Sequence, residues 1–505
     1  MYSINFMNQE ENNKLEKTEL IINWVMFIAL LCFNLYLVLN HEYWRDETQA
    51  WLIAKDCKLS ADSIFTVTSY EGHPILWFLI LMPFAKLGIS IEIMKFISLA
   101  LITAASYIVI FRAEIPTFLK IVMAISPAFV GFYVAPSRSY SLAAFLLVCI
   151  TVLYNKKNEK PILFGILLGL LLQTLVIMGG FVTAAGICWF IETLLEIRSG
   201  KRDVRSIIRP AIGMVITLIS AFFLLWKFRF THTDSAQGES LLTVIQYLVK
   251  EFSDGIKMLY GEYVLAFILM TFVILIVLFI YDKYSRFPII IAASGILWQV
   301  YIYAFVYGTG NHRVLTWLYY VYFVIISTYM AKGRLHRIMN QKSTTVVVLA
   351  VAITLGAWNY SDAYLLMEDL DPKMYLSSGK EAAEAINMLP EDAVIFITSA
   401  DYDTPVVSQI DSKHTIYDPF TKEKASFVIR EDEYDYRIDY ATFINTVTEM
   451  CPDADCVYVV LTTLVCHVDG FFEILDDDYD FIEEYYSSSK DCEFESYLIE
   501  KINLK

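Results

Sequence analysis

Apolar runs of membrane-spanning length recur along the first 360 residues, separated by short charged breaks. A spanning helix needs about 20 mostly apolar residues. The pattern predicts such helices near 20–40, 74–91, 93–112, 118–134, 139–154, 161–178, 181–197, 210–228, 262–281, 287–307, 313–331 and 343–359. The first run is long, lacks a small-residue cleavage site and is followed by many others, so it reads as a retained helix. Beyond residue 360 the periodicity changes. AVIFIT (Ala393 to Thr398) and CVYVVLTT (Cys456 to Thr463) read as buried strands and KEAAEAINML (Lys380 to Leu389) as a helix, which predicts a small α/β layer fold.

Composition agrees with a membrane body. At 57% hydrophobic, 19% charged and a mean hydropathy of +0.50, the 505-residue chain is too apolar for a water-soluble globule of its size. The net charge of -16 conceals a division: residues 360–505 hold 33 of the 55 acidic side chains and only 10 of the 39 basic ones. An acidic soluble domain is therefore joined to a mildly basic membrane body. No basic patch with interleaved aromatics stands out, which argues against nucleic-acid binding.

Short loops rich in Lys and Arg stay in the cytoplasm, and RSGKRDVRSIIR (Arg198 to Arg209) sets the register. Counting outward from it puts residues 41–73, SRSY (Ser137 to Tyr140), GTGNHR (Gly308 to Arg313) and the C-terminal domain on the outer face. Parity requires an odd number of crossings between Lys86 and Ser137, where two apolar runs lie. The Pro-flanked run 118–134 is therefore expected to be re-entrant or peripheral, buried by protein. The expected fold is an all-α polytopic membrane domain of about eleven transmembrane helices plus that segment, with a small C-terminal soluble α/β domain. Its parts are a cytoplasmic tail (1–19), a transmembrane domain (20–359) with first outer loop 41–73, and an acidic extracytoplasmic domain (360–505) in a multi-pass cell-membrane protein.

The chemistry-bearing residues gather on the outer face. Asp46 and Glu47 follow the first span; Asp46 with Gln49 three residues on has the form of a capping box. The second carboxylate points instead to a base, because like charge raises proton affinity. Glu71-Gly72-His73-Pro74 reads as a turn with Pro starting a helix, and leaves Glu71 and His73 to bind phosphate or metal. Arg138 and the pair His312-Arg313 open later helices and suit an anion, Arg by its planar guanidinium. Glu47 and Glu71 also admit Mg²⁺ or Mn²⁺, since oxygen ligands suit both, although a metal-independent, cofactor-free site is favoured. Gly179-Gly180 reads as the hinge of a helical hairpin, and Glu192 and Glu196 as a solvated helix end. Asp476 to Asp480 reads as a solvated acidic loop. Cys451, Cys456, Cys466 and Cys492 share the outer domain, where a disulfide is permitted and three pairings are possible.

WRDETQAWLIAKD (Trp44 to Asp56), the His73-Pro74 start of the second apolar run, SRSYSL (Ser137 to Leu142) and GNHR (Gly310 to Arg313) together resemble the type C (GT-C) membrane glycosyltransferases. The likeness is to the bacterial branch related to protein mannosyltransferases and lipid A aminoarabinose transferases. It implies a polyprenyl-phosphate-linked sugar donor, a glycan, lipid or protein acceptor, and Asp46 acting on that acceptor beside Glu47. Glu71, His73, Arg138, Tyr140, His312 and Arg313 are then the expected substrate-binding residues. Where some relatives have Lys-Pro-Pro, this chain has EGHPILW. A lipid-sugar flippase or other membrane transporter is the rival reading, but transporters usually place ionisable groups inside their spans, and here the spans are almost free of charge. A scaffold or sensor working through its acidic domain is a third.

Overall fold

The computed structural model describes residues 2–71, 73–131, 133–201, 203–228, 276–305, 316–333, 336–337, 377–398, 403–428, 440–462, 479–485 and 496–504. The chain forms two compact units, one holding described residues 2–38 and 97–337, the other 39–96 and 377–504.

The first unit is helical. It contains most of α1 (Tyr2–Asn40), most of α5 (Ile93–Phe111), and α6 (Thr117–Ala124), α7 (Ser139–Leu153), α8 (Pro161–Leu172), α9 (Gly179–Arg198), α10 (Ile208–Phe228), α11 (Arg286–Phe305) and α12 (Thr316–Met330). Among the described residues five helical stretches are long and apolar enough to cross a membrane: Glu16–Asn40, Ile93–Phe111, Ser139–Lys156, Val176–Arg198 and Ile208–Lys227. The expected runs near 262–281 and 343–359 lie wholly or largely outside the described residues. The run 118–134 contains only the eight-residue α6, which at 1.5 Å per residue reaches about 12 Å, well short of a bilayer core of about 30 Å. Turns at Ser126 and at Gly131, whose φ is 81°, follow it instead of further helix.

Small residues bring these helices together. A Cβ on Gly165 of α8 would stand 2.1 Å from the Gly213 carbonyl of α10, so the two backbones touch. Ser220 Oγ donates to Gly169 O at 2.7 Å and Thr217 Oγ1 to Gly165 O at 3.1 Å across the same seam, the close packing that membrane helices build from small residues. Gly179 and Gly180 serve α9 in the same way. A Cβ on Gly180 would lie 2.2 Å from Cβ of Trp298 in α11, and Gly179 already has helical angles (φ -55°, ψ -45°). The expected hinge is thus a close approach. The expected solvated helix end is also a packed one: Glu192 pairs with the buried Lys157 at 2.7 Å, and Asn158 donates to Glu196 at 3.2 Å while accepting from Trp189 Nε1 at 2.9 Å. A buried ammonium requires such a partner.

The second unit joins the stretch after α1 to the C-terminal region. Its helices are α2 (Arg45–Asp56), α3 (Ala61–Tyr70), α4 (Leu76–Lys86), α13 (Gly379–Asn387), α14 (Thr404–Val407) and α15 (Tyr440–Met450). Its strands are β1 (Ile395–Ile397), β2 (Ile416–Asp418), β3 (Glu423–Lys424), β4 (Cys456–Thr462), β5 (Tyr479–Tyr485) and β6 (Tyr497–Asn503), in the sheet order β3-β2-β1-β4-β6-β5. Strands β2, β1 and β4 run parallel and the outer pairings are antiparallel. Successive side chains of a strand point to opposite faces, so CVYVVLT feeds two cores. Val457, Val459 and Leu461 join Phe396, Phe443 and Val447 on one face. Val460 joins Ile395, Ile397, Ile499 and Ala382 on the other, where Leu52 of α2 also inserts.

Candidate active-site loop

α2 starts at Arg45 because Trp44 is extended (φ -97°, ψ 169°) and the first turn carries Asp46 and Glu47, whose negative charge suits a helix N-terminus. The capping residue differs from the sequence expectation. Trp44 occupies the cap and Glu47 the third helical position, from which its Oε2 accepts the Trp44 N–H at 3.2 Å. Asp46 is therefore the second residue of the helix, within its first turn, and Gln49 is released for other contacts. The C-terminal end of α2 is closed by Lys86 of α4, whose ammonium donates to the carbonyls of Lys55 (2.6 Å) and Cys57 (2.5 Å). A cation there meets the negative pole of the helix.

The two carboxylates of the pair face different surroundings. Glu47 is fully buried, and its Oε2 lies 2.9 Å from Nε2 of His41, itself 2% exposed. Asp46 is 34% exposed, with Arg45 Nε 3.6 Å from its Oδ1. Below them Tyr43 donates to Ile91 O at 3.1 Å beneath the Lys95 ammonium, 4.5 Å from the ring centroid. Burial and the carboxylates Glu92, Glu47 and Glu42 hold the Tyr43 phenol well above its ordinary range, so it stays a neutral donor.

Glu71 lies in the turn after α3 and accepts from Gln49 Nε2 at 2.7 Å. His73 is half-buried two residues on. Pro74 precedes α4 by two residues instead of opening it, since α4 begins at Leu76 with Ile75 as its cap. Among the described residues no group of three or more His, Cys, Asp or Glu side chains is arranged to hold a metal ion.

In the helical unit, Arg138 caps α7 in an extended conformation (φ -122°, ψ 172°), and Ser141 Oγ donates to its carbonyl at 3.0 Å. Tyr140 is buried, its ring stacked on Tyr133 at 5.4 Å, and Tyr133 in turn stacks on Tyr319. His312 and Arg313 lie outside the described residues. The structure thus unites Asp46, Glu47 and Glu71 around α2, while Arg138 and Tyr140 belong to the other unit. The sequence pattern left His41 without a role and gave Gln49 only that of a capping partner. The signals were a histidine six residues before a carboxylate at the end of an apolar run, and an amide three residues after Asp46.

No protein-family model matches the chain, and no curated protein sequence matches it. Its structure is similar to the crystal structure of ArnT from Cupriavidus metallidurans in the apo state. The likeness covers 94% of this chain and 97% of that one, with 13% identity and a TM-score of 0.42.

Cys451 and Cys456 are free thiols. Cys466, Cys492 and the start of the acidic run 476–480 lie outside the described residues, and Asp480 is in β5.

Proposed function

We propose that the chain is a membrane glycosyltransferase that moves a sugar from a polyprenyl-phosphate donor to a hydroxyl of an extracytoplasmic acceptor. The observation that carries this reading is the division of labour within the acidic pair. Glu47 is committed to His41 inside the protein, and this fixes the turn from which Asp46 presents its carboxylate outward. A base must reach the proton it takes and must not wander.

Asp46 accepts the proton of the acceptor hydroxyl as its oxygen forms a bond to the anomeric carbon. The bond from that carbon to the phosphate oxygen breaks, and the electron pair leaves with the phosphate. That leaving group is already a stable anion, so no general acid is required. Positive charge near it lowers the barrier, the role assigned to Arg138, Arg313, His312 and His73. Glu47 acts through the placement of Asp46, and Tyr140 through its stack on Tyr133 in the first turn of the helix that Arg138 caps. The basic cytoplasmic loops support an outer-face location for this loop and for the C-terminal domain.

The test is reconstitution in vesicles with a radiolabelled polyprenyl-phosphate hexose and candidate acceptors, comparing the wild type with Asp46→Asn and Arg138→Ala. Transfer by the wild type that is lost in Asp46→Asn supports the reading. Equal transfer by both removes Asp46 as base, and label that crosses the bilayer without joining an acceptor identifies a flippase.

A further inference from the structure

Helix α2 is held along one side by the C-terminal domain. The Gln49 side chain, 6% exposed, pairs with Val428 as a neighbouring strand would: its Oε1 accepts the Val428 N–H at 3.0 Å and its Nε2 donates to Val428 O at 2.7 Å. The second hydrogen of the same Nε2 goes to Glu71 Oε1 at 2.7 Å. One residue earlier, the Thr48 hydroxyl is 3.1 Å from that of Thr404. One turn later Leu52, 1% exposed, enters the core formed with Ile395, Val406 and Ile499. At the end of the helix Ser426 Oγ donates to Asp56 Oδ2 at 2.6 Å. Positions 48, 49, 52 and 56 make one stripe, and Asp46 lies roughly 100° round the helix from it. The grip therefore fixes the helix without covering the carboxylate.

We propose that Gln49 is a positioning residue for Asp46, and that the C-terminal domain thereby forms part of the catalytic apparatus. Only a side-chain amide supplies an acceptor and two donors from one planar group. Glutamate keeps the acceptor but loses both donors and faces Glu71 with like charge; leucine keeps only the volume. Asparagine is one methylene short. Through one amide the domain sets the orientation of α2 and also restrains Glu71, which leads into the His73 turn. The catalytic part of this inference rests on the glycosyl-transfer reading.

The experiment uses the full-length protein in lipid vesicles and compares wild type, Gln49→Glu, Gln49→Leu and the exchange Gln49→Glu/Glu71→Gln. Hydrogen exchange over residues 45–56 and 425–428 is read beside kcat and KM for the labelled donor. Both single variants are expected to keep a cooperative melt while exchange over 45–56 rises about tenfold or more. Their kcat is expected to fall on the order of 10- to 100-fold, as for a small misplacement of a reacting group, with donor KM changed less than about twofold. The exchanged pair restores a donor to the 49–71 contact and is expected to recover part of the lost kcat. An unchanged kcat in both single variants overturns the proposal, as does a loss of kcat with no local rise in exchange or one explained by global unfolding. Should the wild type transfer no label, the glycosyl-transfer reading fails, and the exchange data still decide whether Gln49 holds α2.

Discussion

Nε2 of His41 lies 2.9 Å from Oε2 of Glu47, and neither side chain reaches solvent. The same carboxylate oxygen accepts the Trp44 N–H, so one buried group closes both the turn out of α1 and the first turn of α2. Removing the imidazole deprives the buried Glu47 carboxylate of one of its hydrogen bonds, at a cost of roughly 1–3 kcal/mol. His41→Ala is expected to lower the melting temperature in a thermal scan and to reduce transfer along with it. A melting temperature within a degree of wild type would show that the pair is not structural.

Asp46 is half-buried and outside the His41–Glu47 pair, and its replacement should behave differently. Asp46→Asn is expected to change stability by less than about 0.5 kcal/mol, as for most surface substitutions. Its kcat should fall on the order of 10²- to 10⁴-fold, the usual worth of a positioned base. Steady-state kinetics beside a melt separate the two quantities.

Glu500 in β6 is 1% exposed, and among the described residues its Oε2 has no hydrogen-bond partner. Burial pushes its carboxyl from 4.5 up to about 7. The folded domain then holds a proton that the unfolded chain releases, so the stabilisation is complete below about pH 4.5 and is lost as pH rises through 7. The difference amounts to roughly 3 kcal/mol. Melts of wild type between pH 5 and 8 should fall more steeply than those of Glu500→Gln, and parallel curves would discount this carboxyl.

Gly180 has no room for a methyl group against Trp298. Gly180→Ala is expected to destabilise the α9–α11 seam by about 1–3 kcal/mol through overpacking, whereas Gly186→Ala, which meets nothing within 4 Å, should be neutral or better. A flexible hinge at Gly180 would tolerate alanine, so the two variants in one melt distinguish the roles.

The elements that repeat a simple period were legible beforehand. AVIFIT and CVYVVLTT became β1 and β4 within a residue or two, and KEAAEAINML became α13. Crossing parity singled out the run 118–134, but the bounds of its short helix α6 (Thr117–Ala124) were not readable from the apolar pattern. Two contacts of the acidic loop were not legible either. The pairing of Gln49 with Val428 spans 379 residues, and no local pattern announces a side chain that imitates a strand. The Trp44 cap was hidden because tryptophan is not a capping residue by chemistry; Glu47 supplies the hydrogen bond instead. The role of Gly179 and Gly180 was misjudged because glycine signals freedom and close packing equally well, and only the facing Trp298 decides between them.

Leu52 completes a hydrophobic core whose other members come from the far end of the polypeptide. Translation at about 5–20 residues per second places tens of seconds between its appearance and that of Ile499. Until the last strand is made, α2 can settle on α4 but lacks the core that receives Leu52, so the carboxylate it carries is held from one side only. Chains cut short before β6 should therefore show faster amide exchange over residues 45–56 than the full-length protein.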